Sequence, residues 1–241
     1  MKYVVDHKER RASEIIHMFS SIASRYDLLN HILSFGLDIR WRRRVASETC
    51  KIECQKILDV CSGTGDMAIE LCRYWKGSVH IEAIDLSRGI IKIGKRKINK
   101  ARLNDKINFT ESNAEALPYK DEQFDAVTIT FGLRNIRNRV QALKEFYRVT
   151  KPGGLFICLE FSQPPHMIFS KLYSFYLMKL MPLFAVGLGS DPDSYRYLGI
   201  TIKDFPSPQE LTQLLKSAGW QDVTYFSLAY GIVAIHQGWK R

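Results

Sequence analysis

The stretch from Lys56 to Leu71, KILDVCSGTGDMAIEL, constrains the fold of this chain more than any other. An apolar run, Ile57-Leu58, is closed by Asp59-Val60-Cys61 and turns through Ser62-Gly63-Thr64-Gly65. It continues as Asp66 to Leu71, with apolar residues at helical spacing. A short buried strand, a glycine turn and a helix start make the nucleotide-cradling corner of an open α/β sheet. Glycine lets the backbone approach a ligand where a Cβ would clash, and the helix N-terminus adds free N–H groups and partial positive charge. The corner alone does not name its ligand. Gly63-x-Gly65-x-x-Ala68, with Asp85 about twenty residues on, also fits a dinucleotide fingerprint. S-adenosyl-L-methionine (AdoMet), NAD and a glycine turn without a ligand all remain open at this point.

The pattern around the corner is an alternation of strands and helices. Val79 to Asp85 reads as a second strand ending in an acid. Ser87 is the N-cap expected for a helix to about Ala101. Ile107–Phe109 and Phe124–Phe131 read as the third and fourth strands, and a helix from Arg139 to Val149 stops at Lys151-Pro152-Gly153-Gly154. Leu155–Phe161 is a fifth strand. Such alternation implies a parallel sheet with helices on both faces. The end of the chain reads as a loop at Asp191–Tyr197, a short helix, a helix at Pro208–Ala218, and two strands, Val223–Ala229 and Ile232–Gln237. The connection at Tyr230-Gly231 is so short that these two strands must be antiparallel.

Residues 12–50 read as helices broken at Ser34–Asp38 and resumed from Trp41 to Cys50. A polar cluster, Arg25, Tyr26, Asp27, Asn30 and His31, interrupts their apolar faces and suggests a lid over a site. Met167–Val186 is the most apolar region, but Lys171, Lys179 and Pro182 interrupt it and leave no run long enough for a membrane span. It reads as an inserted helix that packs in the core, as a wall for a greasy substrate, or as a face that dips into a membrane surface.

The formal net charge of +10 favours an anionic partner: nucleic acid, an acidic lipid surface or phosphate. No zinc-finger spacing or RNA-binding aromatic signature accompanies it. Five cysteines without a C-x-x-C pair, and no secretory leader, point to reduced thiols in a cytoplasmic protein. Six scattered histidines lack ligand spacing, so no metal is expected.

Three features favour AdoMet over NAD. Asp59, just before the glycines, suits a cationic amino-acid group and would repel a pyrophosphate. Asn113 opens the loop after strand three, where an amide can pair with an adenine edge. A late antiparallel hairpin departs from a dehydrogenase half, and no second nucleotide corner appears. Asp85 suits either ribose and decides nothing.

The chain also resembles a known family, the ubiquinone/menaquinone biosynthesis C-methyltransferases. The resemblance is carried by FSSIASRYDLLNHILSFGLDIRW (19–41), LDVCSGTGD (58–66), NAEALPY (113–119), FDAVTITFGLRN (124–135), YRVTKPGG (147–154), LEFS (159–162), DSYRYL (193–198) and GIVAIHQGWK (231–240). FGLRN and SYRYL are far more specific than the glycine turn. Ser62 stands where many members have glycine, and Asn113 where aspartate is common.

This resemblance implies a class I AdoMet-dependent methyltransferase fold, Rossmann-like: a mainly parallel seven-stranded sheet ending in an antiparallel hairpin, with helices on both faces. It implies one domain over 1–241, with a helical lid at about 12–50 and an apolar helical insertion at about 165–205. It places AdoMet at Thr64, Asp85, Asn113 and Ala114, with Gly63 and Gly65 shaping the pocket. The expected reaction is C-methylation of a polyprenylated quinol ring, first demethylmenaquinol to menaquinol in menaquinone biosynthesis. The alternatives are 2-polyprenyl-6-methoxy-1,4-benzoquinol in ubiquinone biosynthesis, or both. A nucleic-acid methyltransferase is a distant alternative, without the N-P-P-Y or Pro-Cys motif it would show. Arg134 and Asn135, just past strand four, are expected to hold the quinol oxygen. Tyr26 would orient the ring, and Asp27, His31 or a water beside Arg134 would take the proton. The expected setting is the cytoplasm, peripheral at the anionic inner membrane face, with homo-oligomerisation left open.

Overall fold

The computed structural model describes residue 31 and residues 34–75, 79–187 and 192–241; Tyr26 and Asp27 lie outside the described residues. Seven strands form one sheet: β1 (Lys56–Val60), β2 (His80–Asp85), β3 (Ile107–Glu111), β4 (Phe124–Thr130), β5 (Thr150–Phe161), β6 (Gln221–Leu228) and β7 (Val233–Trp239). Their order is β3-β2-β1-β4-β5-β7-β6. β1 to β5 run parallel, and β7 lies antiparallel between β5 and β6. From β1 the chain builds outward through β2 to β3, then returns to place β4 on the other side of β1. That reversal opens a crevice beyond the carboxyl ends of β1 and β4, where open α/β sheets bind ligands.

The central strands are buried on both faces, which is why they read as apolar runs rather than alternating ones. Ile57 and Ile81 face one core with Trp41 and Leu71; Leu58, Val60 and Phe124 face the other with Phe146, Phe156 and Trp220. The first core is covered by α1 (Leu37–Thr49), α2 (Asp66–Tyr74) and α3 (Arg88–Lys100). α4 (Arg139–Val149) covers the second. Caps mark the helix starts as the side chains require. Ser87 Oγ accepts from Ile90 N, and Asn138 Oδ1 accepts from Gln141 N.

After β5 the chain forms α5 (Met167–Phe175), a wide π turn (Tyr176–Leu180), α6 (Met181–Gly187) and α7 (Pro192–Lys203). The apolar region is thus nearly continuous helix. Pro182 is tolerated because it sits in the first turn of α6, where the π turn has already re-spaced the ladder. No helix among the described residues is long and apolar enough to cross a membrane. α8 (Pro208–Ser217) then packs on the second core, started by a capping box between Ser207 and Glu210.

The largest departures from expectation are at three boundaries. Of the loop expected at 191–197, residues 192–197 are instead the start of α7, whose first residue, Pro192, is already set for helix. α1 begins at Leu37, directly after Gly36 at φ 72, rather than at Trp41. β5 begins at Thr150, because the register slip between Phe124 and Ala126 carries the Pro-Gly-Gly segment along the sheet instead of ending it.

Candidate active site

The glycine turn sits at the mouth of the crevice. Gly63 has φ 59, and nothing lies within 4 Å of where a Cβ would stand, so the backbone here is open to a ligand. Gly65, at φ 83, has no such room: a Cβ would press on Phe109 at 3.3 Å. One glycine therefore faces the ligand space and the other lets α2 pack against β3 and α3. Thr64 is buried between them, and its Oγ1 accepts from Lys97 Nζ at 3.1 Å. Lys97 also pairs with Asp66 at the start of α2. It thereby anchors the turn from α3, a role hidden within the run of basic residues in the sequence.

Asp85 ends β2 half-buried beside the turn. Its Oδ2 accepts from Gly63 N at 3.0 Å and its Oδ1 from Ser87 N at 2.9 Å. Burial raises its pKa against these hydrogen bonds. The Leu86 N–H donates to the carboxylate as well, and three accepted bonds leave it acceptor capacity for one more donor. Asn113 and Ala114 follow β3 alongside, where Ser112 N donates to the Asp85 carbonyl. Asn113 is exposed; its Oδ1 accepts from Glu115 N, which leaves its NH2 to donate. Ala114 is buried at the base of the same loop.

Asp59 departs from the expectation that it would stand close to the ligand. It has no exposed surface and is held by Ser62 Oγ at 2.5 Å and Thr128 Oγ1 at 2.8 Å. Burial pushes its pKa up to about 6, with Arg42 opposing. Its influence on a ligand is through its field and through Ser62 in the turn.

The opposite lip is the short 3-10 turn Leu133–Asn135 after β4. Arg134 is 6% exposed and Glu160, on β5, 2%. Arg134 Nη1 donates to Glu160 Oε1 at 2.8 Å and to the Phe131 carbonyl, while Arg134 N donates to Glu160 Oε2 at 3.2 Å. Glu160 therefore grips both the side chain and the backbone of the turn. Arg139 adds hydrogen bonds to the carbonyls of Leu133 and Arg134. Asn135 Oδ1 accepts from Tyr197 Oη at 3.3 Å, tying the turn to α7. Glu160 and Tyr197 have no role assigned from the sequence, although both lie in stretches that carry the family resemblance, LEFS and DSYRYL.

An aromatic wall lines this lip. Phe131 and Phe161 stack at 4.6 Å, and Trp41 meets both edge-on. The Arg134 guanidinium lies 5.3 Å over the Phe161 ring. Phe131 holds φ 57, a strained conformation for a bulky residue that occurs where function or packing over-determines the backbone. Gly132 follows because a Cβ there would collide with Cys61 across the crevice.

His31 pairs with the first turn of α1. His31 Nδ1 lies 2.6 Å from Asp38 Oδ2, and Asp38 also receives Ser34 Oγ and Arg42 Nη1. Burial pushes the Asp38 pKa up, but the Ser34 and Arg42 interactions outweigh it and lower it overall. Among the described residues no group of three or more His, Cys, Asp or Glu side chains could hold a metal ion.

The sequence pattern that describes the ubiE/COQ5 methyltransferase family matches residues 4–240. The Geobacter sulfurreducens ubiquinone/menaquinone biosynthesis C-methyltransferase UbiE is 40% identical over 230 residues, 95% of this chain and 90% of that protein. The protein of the same name from Shewanella pealeana is 35% identical over 238 residues, 99% of this chain and 95% of that one. Among solved structures, a SAM-dependent methyltransferase of Thermotoga maritima superposes with a TM-score of 0.63 at 19% identity, covering 93% of this chain and 99% of that one.

Proposed function

Because this chain belongs to the ubiE/COQ5 methyltransferase family, we propose that it methylates a ring carbon of a polyprenylated quinol, first demethylmenaquinol to menaquinol. The benzoquinol of ubiquinone biosynthesis is the second reading, since the names of the relatives carry both quinones. AdoMet is the cofactor of this family and fold, and the residues fit it. Gly63 and Gly65 clear the turn, Thr64 holds it, Asp85 would take a ribose hydroxyl, and Asn113 with Ala114 would border the adenine. Bound there, AdoMet supplies an electrophilic methyl group on a positively charged sulfur.

The chain's own work is on the quinol. The observation that carries the reading is an aromatic, Arg134-bearing lip facing the cofactor turn across the switch point. Stacked Phe131 and Phe161 suit a flat ring. Arg134, placed by Glu160, sets positive charge where phenolate charge develops. Asn135, held by Tyr197, offers its amide to a ring oxygen. His31 is the base that Asp38 supports: with Nδ1 tied to Asp38, Nε2 takes the phenol proton. Charge then reaches the adjacent ring carbon, which becomes the nucleophile. After methylation that carbon's own proton leaves to solvent, the ring oxygen takes back the proton held on His31 Nε2, and the ring regains aromaticity. Alignment of the reactants is worth about 7–11 kcal/mol of barrier. Tyr26 and Asp27 belong to the proposed lid, residues about 12–50, and residues about 165–205 to an apolar insertion of the same single domain.

The test is an assay of purified protein with labelled AdoMet and three acceptors in detergent: reduced demethylmenaquinol, its oxidised quinone, and 2-polyprenyl-6-methoxy-1,4-benzoquinol. Label in menaquinol from the reduced form alone is the expected result. Label only in the benzoquinol product would move the assignment to ubiquinone biosynthesis, and label in neither would remove the quinol reading.

A further inference from the structure

The helical run from Met167 to Gly187 is apolar on two opposite sides. Tyr173, Leu177 and Met181 turn inward and pack with Phe161 and Ile202. On the other side Ile168, Leu172, Phe175, Leu183 and Val186 recur at helical spacing and are exposed, Ile168 by 74%. α5 contains no buried residue. A helix that is apolar all round belongs in a core or in lipid, and this one has only half of itself in a core. The charge on it has one sign. From Ser162 to Gly187 the chain carries Lys171 and Lys179, both exposed, and no acid. Lys179 falls within the apolar stripe, where its stem can lie along the apolar surface while its ammonium reaches a polar boundary.

A second observation lies beside the helix. Phe35 and Tyr230 are 82% and 84% exposed, and both hold positive φ, 53° and 55°. Bulky residues rarely adopt that conformation. Each aromatic ring borders the run: Phe35 is 6.5 Å from Tyr176, and Tyr230 is 5.8 Å from Phe169. Two strained turns thus hold large, exposed aromatic side chains beside an exposed apolar helix. Aromatic rings and lysines bordering an apolar face are what a membrane interface selects.

We infer that the outward face of residues 167–186, with Phe35 and Tyr230, docks on an anionic lipid surface with the helix lying in the interface plane. This rests on the quinol reading above and deepens it. The underside of the docked helix is Tyr173 and Leu177 against Phe161, the wall of the ring site. A ring with a lipid-dissolved tail then enters beside the helix without leaving the bilayer. The single-sign charge selects anionic headgroups, each lysine near such a surface contributing about fivefold to partitioning.

The experiment is flotation of the full chain with vesicles of phosphatidylcholine alone and of phosphatidylcholine mixed with phosphatidylglycerol. The wild type is expected to float with the mixed vesicles, less so at high salt. The triple variant Ile168→Ser, Leu172→Ser, Phe175→Ser should lose at least about tenfold in binding, with AdoMet affinity intact as the check that it is folded. Lys171→Gln with Lys179→Gln should weaken binding to the mixed vesicles only. A wild type that floats with neither vesicle, or a triple variant that floats like the wild type, would overturn the inference. So would a wild-type dimer that the triple variant dissolves, in the absence of vesicle binding, because the face would then belong to a second copy. Vesicle binding without methyl transfer to any quinol would retain the docking and remove the quinol reading, so the two failures are distinguishable.

Discussion

Asp59 is an acid without exposed surface at the end of an otherwise apolar strand, and its proton has a measurable consequence. In the folded chain it titrates near pH 6, against 3.8 for an ordinary aspartate. The folded state therefore holds this proton more tightly than the unfolded one. Stability from this group is full below about pH 4 and is lost as the pH rises through about 6. At about 1.36 kcal/mol per pH unit the loss is on the order of 3 kcal/mol. Asp59→Asn should remove that slope, so urea unfolding from pH 4 to 8 should show the variant gaining on the wild type as pH rises. A constant difference across the range would place the titration elsewhere. Asp38 has the opposite sign: its lowered pKa contributes stability above the ordinary carboxylate range that is lost on acidification.

Between elements, the decisive link is Arg134–Glu160, which binds the turn after β4 to β5. Removing one partner leaves the other as a buried, uncompensated charge, a cost of about 3–5 kcal/mol. Glu160→Gln and Arg134→Met are each expected to destabilise by that order in urea unfolding. The double variant Arg134→Met, Glu160→Leu should recover part of the stability: the buried charges are gone, but Arg134 N and Phe161 N lose their carboxylate acceptor. Methyl transfer should stay low in all three. A double variant that is stable and fully active would show that the pair serves the fold alone.

At the scale of the molecule, the crevice joins two halves of one sheet, so a ligand across it couples α2 and α3 to the turn after β4. AdoMet at one hundred times its dissociation constant should stabilise the folded chain by about 2.7 kcal/mol. For a chain of this length that is on the order of 5–10 °C in Tm, read by calorimetry. Asp85→Ala should shrink the shift at the same AdoMet concentration, and an unchanged shift would move the cofactor away from this corner.

The sequence by itself determined the strand–glycine–helix corner, the parallel run of β1 to β5, the closing hairpin and the place of Gly63, Gly65 and Asp85 at that corner. These are local matters: apolar runs, caps and glycines act over a few residues and leave periodic traces. It also marked Arg134 and Asn135 by their place after β4. Only the tertiary structure decided that Arg134 meets Glu160, that Asp59 is sealed behind Ser62 and Thr128, and that Lys97 holds the glycine turn. It also decided that the helix at 167–186 carries an apolar face, Ile168, Leu172, Phe175, Leu183 and Val186, that is exposed. Each depends on which residues, distant in sequence, share a low-dielectric space, and burial sets the sign and strength of a charge's interactions. An acid inside an apolar strand reads the same whether it ends in solvent, in a pocket or against an arginine; the packing of β4 on β5 settles which.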